Sequence, residues 1–407
     1  MATDPTTSKV PALPVDDELD DEQVISCNKL HVPPAFLEFV HEHDIDPKVY
    51  DVDPSAMPRY FRTKDASVTE DELRRHFSDL ETVPWLRCFY AIPSAVSLAQ
   101  SELYVAGKIY GMEASSGYAV SVLDPQPGDH VLDLCCAPGA KLTMLADVLG
   151  KHGSITGVDF SKNRIAACRT LVHKYNLIQP TPSPSLSSPW RCRLFHADGR
   201  TFDVLPTSND TSSVLETILD SAEIAARSQK TMARKRMNKS ARARLAKQGK
   251  AVATNDGDNN NPTTRYDKVL VDAECTHDGS LRHLVKMSTD AEWADYLDKY
   301  LNPTHVQGIL DLQADLIRNG FRLLKDGGRM VYSTCSLSRK QNEAVVEAFL
   351  KDTPTAALVP FDTTGVPHQR GHVDHTIRFT PLERMGGLFI ALFTKTPSTK
   401  RRKVSLA

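Results

Sequence analysis

The chain has 407 residues, 41% hydrophobic and 25% charged, with a formal net charge of -2. That is enough for two or three domains and a sizeable core. It excludes a generally basic surface, so a nucleic-acid partner would have to be met by local patches, and no apolar run is long enough to span a membrane.

Residues 1–30 read as a disordered acidic arm. The start, MATDPTTSKVPALPVDDELDDEQV, has neither an apolar signal core nor a basic amphipathic pattern. With eight cysteines and no CxxC pair, this points to a reducing compartment, nucleus, nucleolus or cytoplasm, and not to secretion or a membrane. Residues 31–104 read as a small α+β module. PAFLEFVHEHDIDPKVYD gives a short helix and loop, PRYFRTK (58–64) a strand, and WLRCFYAI (85–92) another strand. Between them SVTEDELRRHF starts a helix, with Thr69 and Glu72 spaced as a capping box.

Residues 105–396 alternate strand and helix, the pattern of a parallel sheet covered on both faces. HVLDLCC and SITGVDF are the first two strands. APGAKLTMLADVLG and SKNRIAACRTLVHKYNL are their helices, the first stopped by Gly150. QPTPSPSLSSP is a loop, and WRCRLFHADGR an alternating strand. Residues 207–264 interrupt the pattern as a low-complexity insertion. Within it, 227–250 carries ten Lys and Arg and no acid. It reads either as a solvated charged excursion or as a phosphate-binding arm. DKVLVDA resumes the sheet, followed by a long amphipathic helix around Ile309, Leu312, Leu316 and Leu323. KDGGR reads as a turn, RMVYSTC as a strand, and SRKQNEAVVEAFLK as a helix with Ser338 and Gln341 in a second capping box. TIRFTPLERMGGLFIALFTK closes the sheet as a hairpin, and 397–407 is a basic tail whose KRRK has the form of a nuclear address.

Three acids stand at successive strand ends: Asp133 before the turn LCCAPGAKLT, then Asp159, then Asp198. A Pro/Gly turn leading into a helix N-terminus lets the backbone approach a polar ligand. An acid ending the second strand suits ribose hydroxyls, and Asp198 suits an adenine amino group. Singly, each acid is more often a helix cap. Together they favour an adenosine-bearing cofactor. The turn is neither GxGxxG nor GxxxxGK[ST], which disfavours NAD and ATP and leaves S-adenosylmethionine as the best fit. Two cysteines, Cys275 in DAEC and Cys335 in STCS, follow apolar strands at the same end of the sheet. Cys27, Cys88, Cys168 and Cys192 read as small core residues.

The segments YGMEASSGYAV, VLDLCCAPGAKLT, GVDFSKNRIA, HADGR, DKVLVDAEC and VYSTCSLSRKQNEAVV resemble the NOL1/NOP2/Sun (RsmB-like) family of RNA cytosine-5 methyltransferases. The resemblance covers roughly 105–395, and the DAEC and STCS pair is its specific part. It implies a Rossmann-like S-adenosylmethionine-dependent methyltransferase sheet, an α/β fold with the small N-terminal α+β module beside it. It also implies 5-methylcytosine formation in tRNA or rRNA through a thiol adduct at C6 of the base. Cys335 would be the nucleophile, Cys275 the release residue and Asp272 the group at the cytosine edge. Lys141 would bias a thiol toward thiolate. The cofactor residues would be Cys136, Ala137, Pro138, Gly139, Ala140, Lys141, Leu142, Asp159, Arg164, Asp198 and Asp272. No metal is expected. The partner would be RNA, with tRNA slightly favoured over rRNA because the accessory regions are small, and the protein a monomer. Glu274 stands where the family has proline before the first cysteine, and Ala140 where it has a second glycine. The competing readings are a DNA cytosine-5 methyltransferase and a methyltransferase-like RNA-binding or ribosome-assembly factor with dispensable catalysis.

Overall fold

The computed structural model describes residues 30–178, 190–236 and 264–397. The acidic arm, the Pro/Ser loop, most of the basic run and KRRK lie outside the described residues.

The strands are β1 Arg59–Thr63, β2 Glu81–Thr82, β3 Phe89–Ile92, β4 Ile109–Gly111, β5 His130–Asp133, β6 Ser154–Asp159, β7 Arg191–His196, β8 Glu216–Asp220, β9 Tyr266–Asp272, β10 Leu324–Thr334, β11 Ala356–Leu358, β12 Gln369–Arg370, β13 Thr376–Phe379 and β14 Leu388–Lys395. The helices are α1 Pro34–Glu42, α2 Glu70–His76, α3 Glu102–Val105, α4 Ala114–Leu123, α5 Ala140–Leu149, α6 Lys162–Lys174, α7 Ser221–Arg236, α8 Leu281–Leu284, α9 Asp290–Tyr300, α10 Pro303–Leu323 and α11 Glu343–Asp352.

The large sheet runs β12-β13-β14-β10-β9-β5-β6-β7-β8, with β11 paired to β14. Its centre, β10-β9-β5-β6-β7, is parallel. Successive residues of each strand point to opposite faces, and both faces are covered. Val131, Ile155, Leu270 and Val331 pack with α5 and α6. Leu132, Val158, Val269 and Tyr332 pack with α10 and α11. The chain leaves β5 for β6 on one side and later returns to β9 on the other. The crevice at the C-terminal ends of β5 and β9 is therefore the topological switch point of a Rossmann-like α/β sheet, where such folds bind ligands.

Several local expectations fail for tertiary reasons. KDGGR is not a free turn. It bulges inside β10, between the pairs Leu324–Tyr266 and Arg329–Lys268. Only the second half of WLRCFYAI is strand, because Cys88 takes a left-handed backbone at φ 66°. The Ser338/Gln341 box does not form: α11 starts after Asn342 without a side-chain cap, and both residues bond elsewhere. Thr69 does accept the Glu72 amide, at 3.2 Å. Part of the 207–264 segment belongs to the sheet, since β8 pairs antiparallel with β7, and 221–236 is helical.

The segment 31–104 divides its packing. Its strands β1–β3, joined by β4 from just beyond residue 104, form a separate antiparallel sheet, order β2-β3-β1-β4. Residues 30–57 instead join α8, α9 and Leu337 through Phe36, Tyr50, Leu284, Trp293 and Tyr296. Arg62 of β1 ties the small sheet to the large one. Its guanidinium lies 3.8 Å from the centre of the Tyr110 ring and donates to Asp147 on α5 at 2.9 Å and to Thr143 at 3.3 Å. Burial pushes the Asp147 carboxyl up, and the Arg62 charge opposes that. Removing one partner of a buried pair costs more than the pair contributes. Arg62→Met is expected to destabilise the protein by about 3 kcal/mol, read from the urea midpoint, and adding Asp147→Asn should recover part of the loss.

Candidate functional site

The turn after β5 is built around Gly139, whose φ of 119° disfavours a side chain and where a Cβ would sit 2.8 Å from Cys168 Sγ. The turn is held from two sides. Arg164 Nη2 donates to the Ala137 carbonyl at 2.6 Å. Asp159 Oδ2 accepts the Ala137 amide at 3.2 Å, and its Oδ1 accepts the Ser161 amide at 2.8 Å. Burial pushes the Asp159 carboxyl up, with Arg164 opposing. Cys136, Gly139 and Leu142 are buried; Pro138, Ala140 and Lys141 are half-buried at the crevice. Asp198 lies beyond β7, next in the row, and is engaged by Arg200 through Nη2 at 2.7 Å and Nε at 3.0 Å. Burial would raise its carboxyl, but the Arg200 bonds prevail and leave it low.

β9 and β10 pair in register with Asp272 opposite Ser333. Ser333 Oγ donates to Asp272 Oδ1 at 2.6 Å, and Lys141 Nζ to Oδ2 at 2.7 Å. The sequence expected Lys141 to act on a thiol. In the structure its ion pair is with Asp272. Just past these residues the two cysteines meet, with sulfurs 3.2 Å apart and unbonded. Cys275 is buried and Cys335 half-buried. The hydrogen bond to Cys275, with burial added, pushes the Cys335 thiol up.

Three participants escaped sequence analysis. His277 Nδ1 lies 3.0 Å from Cys335 Sγ, on a left-handed backbone at φ 55°. Asp278 is fully buried and accepts from Thr276 Oγ1, from Ser336 Oγ at 2.6 Å and from the Leu337 amide at 2.7 Å. It thereby locks the loop after β9 to the loop after β10. Gln341 donates to Thr276 Oγ1 at 2.7 Å, and its Oε1 accepts the Thr276 amide at 3.2 Å. His277 and Asp278 sit inside DAECTHDGS, where they read as turn residues. Gln341 read as a helix cap.

Asp133 ends the first core strand, as the sequence expected. It is buried, and neither oxygen has a hydrogen-bond partner among the described residues. Burial, with Asp272 and Asp159 adding to it and Lys141 opposing, pushes its carboxyl up to about 8.

The fold and this paired-strand site define the class of Rossmann-like methyltransferase folds. NSun6 from Pyrococcus horikoshii with SFG has a TM-score of 0.57 at 16% identity, covering 84% of this chain and 91% of that one. A methyltransferase homolog from the same organism has 0.54 at 20%, covering 89% and 100%. The chain belongs to the 16S rRNA methyltransferase RsmB/F family, whose profile matches residues 120–180 and 198–394, more than half of its length. Relatives include the tRNA (cytosine(34)-C(5))-methyltransferase of Drosophila melanogaster, 28% identical over 62% of this chain and 26% of the relative. The ribosomal RNA small subunit methyltransferase F of Klebsiella pneumoniae is 25% identical over 69% and 44%. The corresponding methyltransferase B of an Enterobacter is 26% identical over 69% and 48%. The chain thus spans between about a quarter and a half of these curated relatives.

A carboxyl raised on folding binds its proton more tightly in the native state. Asp133 therefore contributes stability that is fully present below its ordinary value of 3.8 and is lost as pH rises through about 8. Asp133→Asn is expected to flatten the decline of the denaturant midpoint between these two pH values; an unchanged slope would remove Asp133 from the balance.

Proposed function

We propose that the protein is an S-adenosylmethionine-dependent RNA cytosine-5 methyltransferase acting on tRNA or rRNA through a covalent cysteine adduct. The observation that carries this is the convergence of Cys275 and Cys335 beside Asp272 at the switch-point crevice. Family membership and the names of the relatives point the same way.

The crevice residues fit the cofactor. Each Asp159 oxygen accepts one backbone amide and keeps a lone pair for a ribose hydroxyl. Phe160, beside it, is exposed and offers a flat apolar face. Asp159, Asp272 and Glu274 supply the carboxylates whose negative field a sulfonium and an α-ammonium require. Bound there, S-adenosylmethionine supplies an electrophilic methyl group.

The protein's part is to make C5 of cytosine nucleophilic. Asp272, fixed by Ser333 and Lys141, accepts from the exocyclic amine of the base, and a proton donated toward N3 by the Lys141 ammonium offsets the charge that develops there. Cys335 passes its proton to His277 Nδ1 and adds through sulfur to C6, which leaves C5 electron-rich. After methyl transfer to C5, a solvent base takes the C5 proton, the C6–S bond breaks to restore the C5–C6 double bond, and Cys335 leaves as a thiolate that takes its proton back from His277; Cys275 assists that step. Target bases inside a helix must first be turned out of it.

Cys335→Ala is expected to abolish methylation and leave no covalent RNA complex on denaturing gels. Cys275→Ala should still attack and accumulate that complex. Reversed behaviour would exchange the two roles. His277→Asn should slow adduct formation at least tenfold without weakening S-adenosylmethionine binding, and an unchanged adduct rate would remove it as proton acceptor.

A further inference from the structure

Cys275, His277 and Cys335 do more than pair for one reaction. Their three ligand atoms all lie within 4.8 Å of one another, with Sγ–Sγ at 3.2 Å and Cys335 Sγ–His277 Nδ1 at 3.0 Å. We infer that this cluster is a binding site for one thiophilic divalent cation of the Zn²⁺ class, and that the bound cation holds the protein in a state unable to form a thiol adduct.

The ligand chemistry is selective. Two thiolates and an imidazole suit zinc and its congeners, and not the oxygen-seeking magnesium or calcium. The spacing is close to what a tetrahedral ion needs. Zinc sits about 2.3 Å from sulfur and about 2.0 Å from nitrogen, which sets ligand edges of about 3.5–3.8 Å at tetrahedral angles. The Sγ–Sγ and Cys335–His277 edges reach that by opening about half an ångström, a small rotation about the side-chain torsions, and the third edge lies within 4.8 Å.

The frame around it is built to hold such a geometry. Asp278 staples the two cysteine-bearing loops together. Tyr296 donates to the Thr276 carbonyl at 2.8 Å, and Gln341 bonds the Thr276 side chain and amide. Gly279 sits so close to the Cys335 carbonyl that a Cβ there would be 2.3 Å away. With its ligands held this way, the ion pays little ordering entropy on binding. By contrast, Cys136 and Cys168, whose sulfurs are 4.0 Å apart, lie buried in the apolar core, and among the described residues no third His, Cys, Asp or Glu completes a cluster with them.

Three protein ligands leave a fourth position for water, as at zinc sites with an open coordination place. On binding, both thiols release their protons to solvent and their charge neutralises the ion. Both sulfurs are then committed to metal, and His277 has no lone pair left to take a proton. The inhibitory consequence rests on the proposed thiol mechanism. The binding itself does not.

Cobalt(II) is the probe, because thiolate ligation gives a near-ultraviolet charge-transfer band and tetrahedral geometry gives strong visible bands. Titrating the full chain should show one Co²⁺ per molecule with both signatures, displaced by Zn²⁺. Cys275→Ser and His277→Asn should each weaken binding at least tenfold, while Cys88→Ser leaves it unchanged. In the wild-type chain, Zn²⁺ should slow alkylation of Cys335 by iodoacetamide at least tenfold, and a chelator should restore it. Absence of the charge-transfer band, or its persistence in the Cys275→Ser/Cys335→Ser double variant, would overturn the site. Metal binding with undiminished adduct formation on RNA would leave the site and overturn its blocking role. Metal binding in a protein that forms no RNA adduct under any condition would overturn the catalytic reading and the blocking role together.

Discussion

The site depends on the register between β9 and β10. With Asp272 opposite Ser333, the serine hydroxyl reaches the carboxylate, and both chains run on for two or three residues to bring their sulfurs together. A one-residue slip would send Asp272 to the other face of the sheet and separate the cysteines. Asp278 makes the convergence rigid. Burial pushes its carboxyl up, with the donors Ser336, Thr276 and Leu337 opposing. A buried carboxylate without those donors would be too costly to keep.

Strand–helix alternation and strand-end acids were legible because periodicity and turns are local signals. The same signals placed Asp159, Asp198, Asp272, Cys275 and Cys335 along one edge of the sheet. What could not be read depends on distant partners. Ser338 and Gln341 have the spacing of a helix cap, yet Ser338 bonds the His43 ring at 2.7 Å and Gln341 serves Thr276. Their tertiary bonds outcompete capping because they serve buried groups, the Thr276 amide and the His43 ring nitrogen. His277 meets Cys335 across 58 positions, and no local pattern encodes that contact. β8 was hidden for a different reason. It is a short, partly exposed edge strand inside a polar stretch, with none of the continuous apolar character of the central strands.

Glu274 replaces the expected proline at a place where its side chain turns toward the cofactor side of the crevice. Burial pushes its carboxyl up; Arg164 opposes this and Asp159 adds to it. Its backbone carbonyl still serves the frame, accepting from Gln313 at 2.8 Å. A proline would supply that carbonyl equally well. What the glutamate changes is the charge near Arg164, the residue that pins the Ala137 turn. The departure therefore bears on the cofactor side of the site more directly than on the thiols.

The crevice carries more acid than base. Asp133, Asp159, Asp272 and Glu274 face Lys141 and Arg164. Such a field favours a cationic ligand and disfavours a second local anion; it adds to the burial that keeps the proton on Asp133 and to the Cys275 hydrogen bond and burial that hold Cys335 as a thiol. Lys141 does not relieve this, since its charge is spent on Asp272. Thiolate formation thus has to be coupled to another event at the site. A cation entering the crevice offsets the carboxylates, and an imidazole in contact with the sulfur takes the proton without creating net charge between them. Of the cationic and basic groups around the crevice, His277 is the one placed to do this. In the proposed mechanism, the residue that reads as part of a turn is thus the one that takes the thiol proton.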